Sequence, residues 1–289
     1  MDAVYVVTGG GSGIGQAIAS MLPRDADVII ADRSEARLKI SSGILDSAGI
    51  RCHTFCFDVS EREEVRKLAA FASSLGKVEK VFHSAGVSGS MADKDSIIRI
   101  NALGTVYVYQ EFYKVMDGGV ICSIASDASY VLPRILLPSH RVYMAVLRNE
   151  ERFLRMMSRR CWLIVSNKWN RQVAYLISKN FARWYSQQCS FSYMEKKKIR
   201  VFTISPGFVK TPMTEAEKGF LSSNILTFTA LNRGADPEEI ASIAVSLSDD
   251  RCSYLIGTDI LADGGCIDNG YRMSTCFRRF SKRHKDLNW

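Results

Sequence analysis

Short apolar runs alternate with amphipathic stretches along most of the chain. Val4–Val7, Val28–Ala31, Cys52–Phe57, Val78–His83, Val120–Ile124 and Ile199–Ile204 read as buried strands, and Tyr254–Leu261 as a seventh. Between them, residues 14–22, 35–47, 61–75, 95–116 and a stretch around Tyr175 carry apolar residues at helical spacing. Strands that alternate with helices predict a parallel sheet covered by helices on both faces. The length of 289 residues and the 47% apolar content fit one large domain with a sizeable core. That domain is expected to span residues 1–270, with a helical insertion at about 131–171 and a basic tail at 271–289. There is no internal repeat or low-complexity tract.

Two segments in this frame carry chemistry. The first, Thr8–Gly15, is glycine-rich and lies where a strand turns into a helix. Only glycine lets backbone approach a pyrophosphate closely there, and the helix N-terminus favours the phosphate charge. Asp32 ends the next strand, at the position of an acid that accepts ribose hydroxyls. Its carboxylate would repel a 2′-phosphate, so NAD is expected over NADP, although Arg33 stands beside it. The second segment is Tyr175-Leu176-Ile177-Ser178-Lys179. A tyrosine has a reference pKa of about 10. A lysine at i+4 shares its helix face and favours the phenolate, which makes proton exchange near neutral pH feasible.

With these motifs the chain resembles the short-chain dehydrogenase/reductase family from residue 3 to about 270. Thr8–Gly15 is similar to the family's TGxxxGxG, and Asp58-Val59 to its adenine-ring motif. His83-Ser84-Ala85-Gly86 stands where the family has Asn-Asn-Ala-Gly, a departure at the usual strand-stabilising amide. Asn101 matches the helix asparagine. Gly119–Ser126 resembles the GxIVxISS strand, which puts the family's serine at Ser126, with Ser123 in a shifted register. Ser205–Thr211 resembles the PGxVxT segment and Asp263-Gly264-Gly265 the closing DGG.

The resemblance implies an α/β Rossmann-type, doubly wound parallel sheet of about seven strands. It also implies hydride transfer between a nicotinamide cofactor and a carbinol carbon, without a metal. Tyr175 would exchange the proton, Lys179 would hold the nicotinamide ribose, Ser126 would orient the substrate oxygen, and Asn101 would hold a relay water. The cofactor would lie on Gly9, Ser12, Gly13, Ile14, Gly15, Asp32, Arg33, Asp58, Val59, Ser84, Ala85, Gly86, Tyr175, Lys179, Pro206, Gly207, Val209 and Thr211. The family usually forms dimers or tetramers.

Charge and cysteine usage narrow the picture. The net charge is +8, with +7 within residues 134–171 and +5 within 272–289, so the rest of the chain is acidic. The eight cysteines are scattered without zinc spacing, and Cys52 and Cys56 are expected to be buried thiols. No apolar run approaches the length of a membrane span and no signal-peptide pattern opens the chain, so a cytoplasmic enzyme is expected. No nucleic-acid-binding module is present.

The insertion reads as one amphipathic helix from Val142 to Cys161. Tyr143, Val146, Leu147, Leu154, Met157 and Cys161 lie on one face, and Arg148, Arg152, Arg155 and Arg159 on the other. It would enter beside the active-site mouth. The basic face has three readings: a solvated surface over a packed or interfacial helix, a wall for an anionic lipophilic substrate, or a weak membrane contact shared with the tail. Residues 212–232 suit an apolar lid over a bulky alcohol or ketone such as a hydroxysteroid. A catalytically silent, cofactor-binding sensor or scaffold and a sugar-nucleotide epimerase are the alternatives.

Overall fold

A computed structural model describes residues 2–164, 169–215 and 226–271. Strands β1 (Ala3–Thr8), β2 (Asp27–Asp32), β3 (Arg51–Cys56), β4 (Lys77–His83), β5 (Gly119–Ile124), β6 (Ile199–Pro206) and β7 (Asp259–Ala262) form one sheet. Every pairing is parallel, in the order β3-β2-β1-β4-β5-β6-β7. The helices, in chain order, are α1 (Gly13–Ser20), α2 (Glu35–Ser47), α3 (Arg62–Leu75), α4 (Lys94–Ile98), α5 (Gly104–Val115), α6 (Ala128–Val131), α7 (His140–Met144), α8 (Glu150–Ile164), α9 (Asn170–Lys197), α10 (Pro212–Glu215) and α11 (Pro237–Leu247).

Strand alternation builds two cores. Val4 and Val6 pack with α3, α5 and α9, whereas Tyr5 and Val7 pack with α1, α2 and α11. Because both faces are covered there, β1 and β2 are apolar along most of their length, whereas the edge strand β3 is not. The strand order reverses between β1 and β4, and their C-terminal ends open the crevice where ligands bind in such sheets.

A buried histidine fastens this point. His83 ends β4, where the resemblance implies an asparagine. Its Nδ1 lies 2.8 Å from Thr8 Oγ1 and its Nε2 3.2 Å from Thr105 Oγ1. Thr105 donates its own hydroxyl to the Asn101 carbonyl, and Thr8 accepts from the Ala85 N–H. The ring is therefore the neutral Nε2–H tautomer, which accepts from Thr8 and donates to Thr105. Burial, helped by the Lys179 charge, pushes its pKa down to about 3.

Between that value and the unfolded pKa of about 6.5, the unfolded chain binds the extra proton, so stability falls as pH falls through this window. Relative to His83→Asn, the wild-type protein is expected to lose about 2 kcal/mol between about pH 7.5 and pH 5. Asp127, whose pKa is raised, titrates in the opposite sense in both proteins and cancels in the difference. Urea unfolding of the pair at both pH values measures this, and a pH-independent difference would sink it.

Several sequence expectations change. Cys56 is exposed and Cys52 half-buried, because β3 is the sheet edge. The last strand is shorter than Tyr254–Leu261: Gly257 turns with φ +65° and donates its N–H to the Val201 carbonyl, and pairing begins only at Asp259. The 95–116 helix is interrupted by a π-helical turn, Arg99–Leu103.

The insertion is two helices and not one. Asn149 ends the first segment by capping α8, accepting the Phe153 N–H on its carbonyl and the Arg152 N–H on its side chain. Tyr143, Val146, Phe153, Met157 and Cys161 are buried, while Leu147 is exposed. Phe153 packs on Phe181 of α9 at 4.8 Å between rings. Glu150 accepts from Arg62 at 2.7 Å and from the Tyr107 hydroxyl at 2.7 Å, tying α8 to α3 and α5. The four stripe arginines are exposed, and α8 packs its opposite, apolar face on the body. Residues 216–225 of the expected lid and 272–289 of the expected tail lie outside the described residues, and among those described no helix is long and apolar enough to cross a membrane.

Candidate functional site

The crevice above β1 and β4 is a cleft of about 280 Å³. Its floor needs small residues. Gly9 has φ +70°, and a Cβ there would sit 2.8 Å from the Ala85 nitrogen. Gly13 has φ +56° and starts α1, whose N-terminus faces the cleft. Ser12, Ile14, Ser84, Ala85 and Gly86 complete this end. Gly15 does not line the cleft. Its missing Cβ would lie 2.2 Å from the Gly9 carbonyl oxygen, so it lets α1 close on the loop.

Asp32 lines the cleft, oriented by its own turn: Gly11 N–H donates to Oδ2 at 3.3 Å and Ser34 N–H to Oδ1 at 3.1 Å. Arg33 stands beside it, as does Arg37, which the motif reading missed because it lies on α2. Asp58 and Val59 also line the cleft, with Asp58 Oδ1 accepting from Ser60 N–H and Oγ–H at 2.8 and 2.7 Å. Pro206, Gly207, Val209 and Thr211 form the opposite wall. Gly207 abuts Asp263 at a distance that leaves no room for a Cβ, which explains the Asp-Gly-Gly segment as packing.

Tyr175 and Lys179 enter from α9, one turn apart. Lys179 is buried, and its Nζ donates to the Ile124 carbonyl at 3.0 Å. Desolvation pushes its pKa down to about 8. Ser126 lines the same cleft just beyond β5, accepting from Ala128 N–H at 3.2 Å and donating to Asp127 Oδ1 at 3.2 Å. The buried Asp127 was not foreseen. Desolvation, opposed by the Ser126 hydrogen bond and reinforced by Asp263, raises its pKa to about 7. Ser123 is excluded from the cleft and bonds Tyr109 inside the core at 2.9 Å, so the shifted register is set aside.

Asn101 sits one layer behind the cleft, on the π-helical turn. Its amide bonds both Val87 backbone groups at 2.9 Å and Ser178 Oγ at 3.1 Å. Gly86 separates it from Lys179: a Cβ there would be 3.1 Å from Asn101 Oδ1 and 3.4 Å from Lys179 Nζ. Phe57, Val87, Met91, Ile100 and Met213 add an apolar lining that sequence motifs did not reveal. No described residue of the insertion lines the cleft; Ser158 of α8 accepts from Lys94, three residues beyond the cleft-lining Met91, at 2.5 Å.

Fold and cleft together describe a parallel α/β protein whose crevice holds a glycine-rich loop and a tyrosine–lysine pair. Comparison with known proteins agrees. A family profile described as short chain dehydrogenase matches residues 3–139, and one described as Enoyl-(Acyl carrier protein) reductase matches 163–266. The gap between them falls within the insertion. The chain is 30% identical over 271 residues to the short-chain dehydrogenase/reductase bsc3 of Alternaria brassicicola, covering 92% of this chain and 96% of that one. A short-chain dehydrogenase/reductase structure from Mycobacterium ulcerans superposes with TM-score 0.72 at 25% identity, covering 92% and 90% of the two chains. A variant of the actinorhodin polyketide ketoreductase, solved with NADPH, has the same fold, with TM-score 0.71 at 20% identity and 92% and 97% coverage. The chain belongs to the short-chain dehydrogenase/reductase family of oxidoreductases.

Proposed function

We propose that this protein is an NAD(H)-dependent oxidoreductase that interconverts a secondary alcohol and a ketone on a bulky lipophilic substrate, such as a hydroxysteroid. The carrying observation is that Ser126, Tyr175 and Lys179 line one cleft with a glycine loop that has no room for side chains. A nicotinamide dinucleotide bound there supplies or accepts the hydride. Tyr175 exchanges a proton between its phenolic oxygen and the substrate oxygen. Lys179, held against the Ile124 carbonyl, keeps a cation on the same helix face and so favours the phenolate. Ser126 orients the substrate oxygen by hydrogen bonding. Asn101, anchored to Val87 and Ser178 on the turn behind Lys179, holds a water that relays protons from Lys179 to solvent. Met91, Ile100 and Met213 favour an apolar substrate.

The test is NADH appearance from NAD with hydroxysteroids and simple secondary alcohols at neutral to alkaline pH. Saturable turnover supports the reading. Tight NADH binding with no turnover on the panel or on the matching ketones would favour a cofactor-binding sensor instead.

Asp32 supports the choice of NAD, since a 2′-phosphate would approach a fixed carboxylate. Its removal leaves Arg33 and Arg37 facing the same space. Asp32→Ser is therefore expected to shift the NAD:NADP ratio of kcat/KM toward NADP by on the order of 10- to 100-fold, the range for one screened charge contact. An unchanged ratio would remove Asp32 as the discriminator.

A further inference from the structure

A second cleft, of about 850 Å³, opens within the insertion and shares no lining residue with the first. One wall is α9, through Asn180 and Trp184. The other comes from residues 134–143 and from Met156 and Arg159 of α8. Its lining includes Arg134, Arg159, Arg160 and His140 but no Asp or Glu.

The guanidinium of Arg160 is committed. It donates to the Ile135, Leu136 and Leu137 carbonyls at 2.8, 3.2 and 3.4 Å, which pins the rim. The guanidinium groups of Arg134 and Arg159 make no hydrogen bond or ion pair among the described residues.

The aromatic wall is in place. Trp184 lies 5.1 Å from Tyr143 and edge-on to His140 at 5.4 Å between ring centroids. Below it, Tyr143 donates to Asn180 Oδ1 at 2.8 Å, and Asn180 Nδ2 donates to the Ser129 carbonyl at 2.8 Å. The buried polar floor is thus already satisfied, and the demand for a partner sits at the cationic rim.

We propose that this cleft is a second ligand site, for a small organic anion with a carboxylate or phosphate on an aromatic or aliphatic body. Guanidinium forks match the geometry of either head group, and no Asp or Glu lines the cleft to compete for them. The aromatic wall takes the body, and the closed floor makes the site largely preformed. This inference does not depend on the oxidoreductase reading.

The experiment is isothermal titration of the full-length protein, with and without NADH, using 4-phenylbutyrate, phenyl phosphate and the neutral 4-phenylbutanol. Variants are the pair Arg134→Ala with Arg159→Ala, and Arg155→Ala as a control on the same helix outside the cleft. All three side chains are exposed, so circular dichroism should report intact folds. One-site binding of an anion is expected, at least about tenfold tighter than the alcohol and weakened at least about tenfold in the double variant. The control should stay within about twofold, and added salt should weaken binding.

Three outcomes would overturn the proposal: no saturation by either anion at millimolar concentration, equal affinity for the alcohol, or unchanged binding in the double variant. The last would move the anion to another site. Co-sedimentation with phosphatidylserine vesicles that is lost in the double variant, with neither soluble anion binding, would assign the arginines to a membrane headgroup and also overturn it.

Discussion

Tyr175→Phe is expected to lower kcat by about 10³-fold or more while leaving NADH affinity within about twofold. The substitution removes one hydroxyl and keeps the ring that lines the cleft. Lys179 keeps its bond to the Ile124 carbonyl, and Ser126 keeps its bonds to Asp127 and Ala128. The cofactor cradle is thus intact, and only the group that exchanges a proton with the substrate oxygen is lost. General acid–base catalysis typically contributes about 10²- to 10⁴-fold, and a buried cation on the same helix face argues for the upper part of that range. Steady-state kinetics on the best alcohol of the panel, paired with a fluorescence titration of NADH, separates the two quantities. A variant that keeps more than about a tenth of the turnover would remove Tyr175 as the proton-exchanging group.

What was legible in the sequence, and what was not, follows from the range of the interactions. The glycine loop and the Tyr175–Lys179 pair are local patterns. Glycine is required where Gly9 approaches Ala85, and a residue and its i+4 neighbour share a helix face whatever surrounds them. The strand and helix order was legible for the same reason, since each apolar run carries its own period.

In the sequence His83 is a departure from the family pattern at the usual strand-stabilising amide. Its partners lie on β1 and in the first turn of α5, 75 and 22 residues away, and only the folded sheet brings them together. Asn149 hid inside an apolar period that continues on both sides, so the cap that splits the insertion was invisible to periodicity. Cys56 was misjudged because its run is apolar enough for a central strand, while sheet order, which no local window contains, places it at the edge. The lining supplied by Arg37, Phe57 and Met91 likewise comes from topology, as does the withdrawal of Gly15 and Asn101 from the cleft surface.

Two chemically identical substitutions should have opposite effects. Gly15→Ala places a methyl group 2.2 Å from the Gly9 carbonyl oxygen and 2.7 Å from its carbon. Both contacts are backbone, and Gly9 is itself held by its N–H bond to the Ala31 carbonyl at 2.7 Å and by its approach to Ala85. No rotamer relieves this clash, so either α1 or the loop must move. A loss of about 3 kcal/mol is expected, together with at least about tenfold weaker NADH binding, because the displaced loop is the cradle. Gly43 lies on the exposed face of α2, and a Cβ there meets nothing within 4 Å. Gly43→Ala should stabilise the protein by about 1 kcal/mol through helix propensity alone and leave cofactor binding unchanged. Urea midpoints and NADH titrations of the two variants test this together. If Gly15→Ala behaves like Gly43→Ala, the tight closure of α1 on the glycine loop is wrong. The geometric case for a dinucleotide at that loop would then lose its main support.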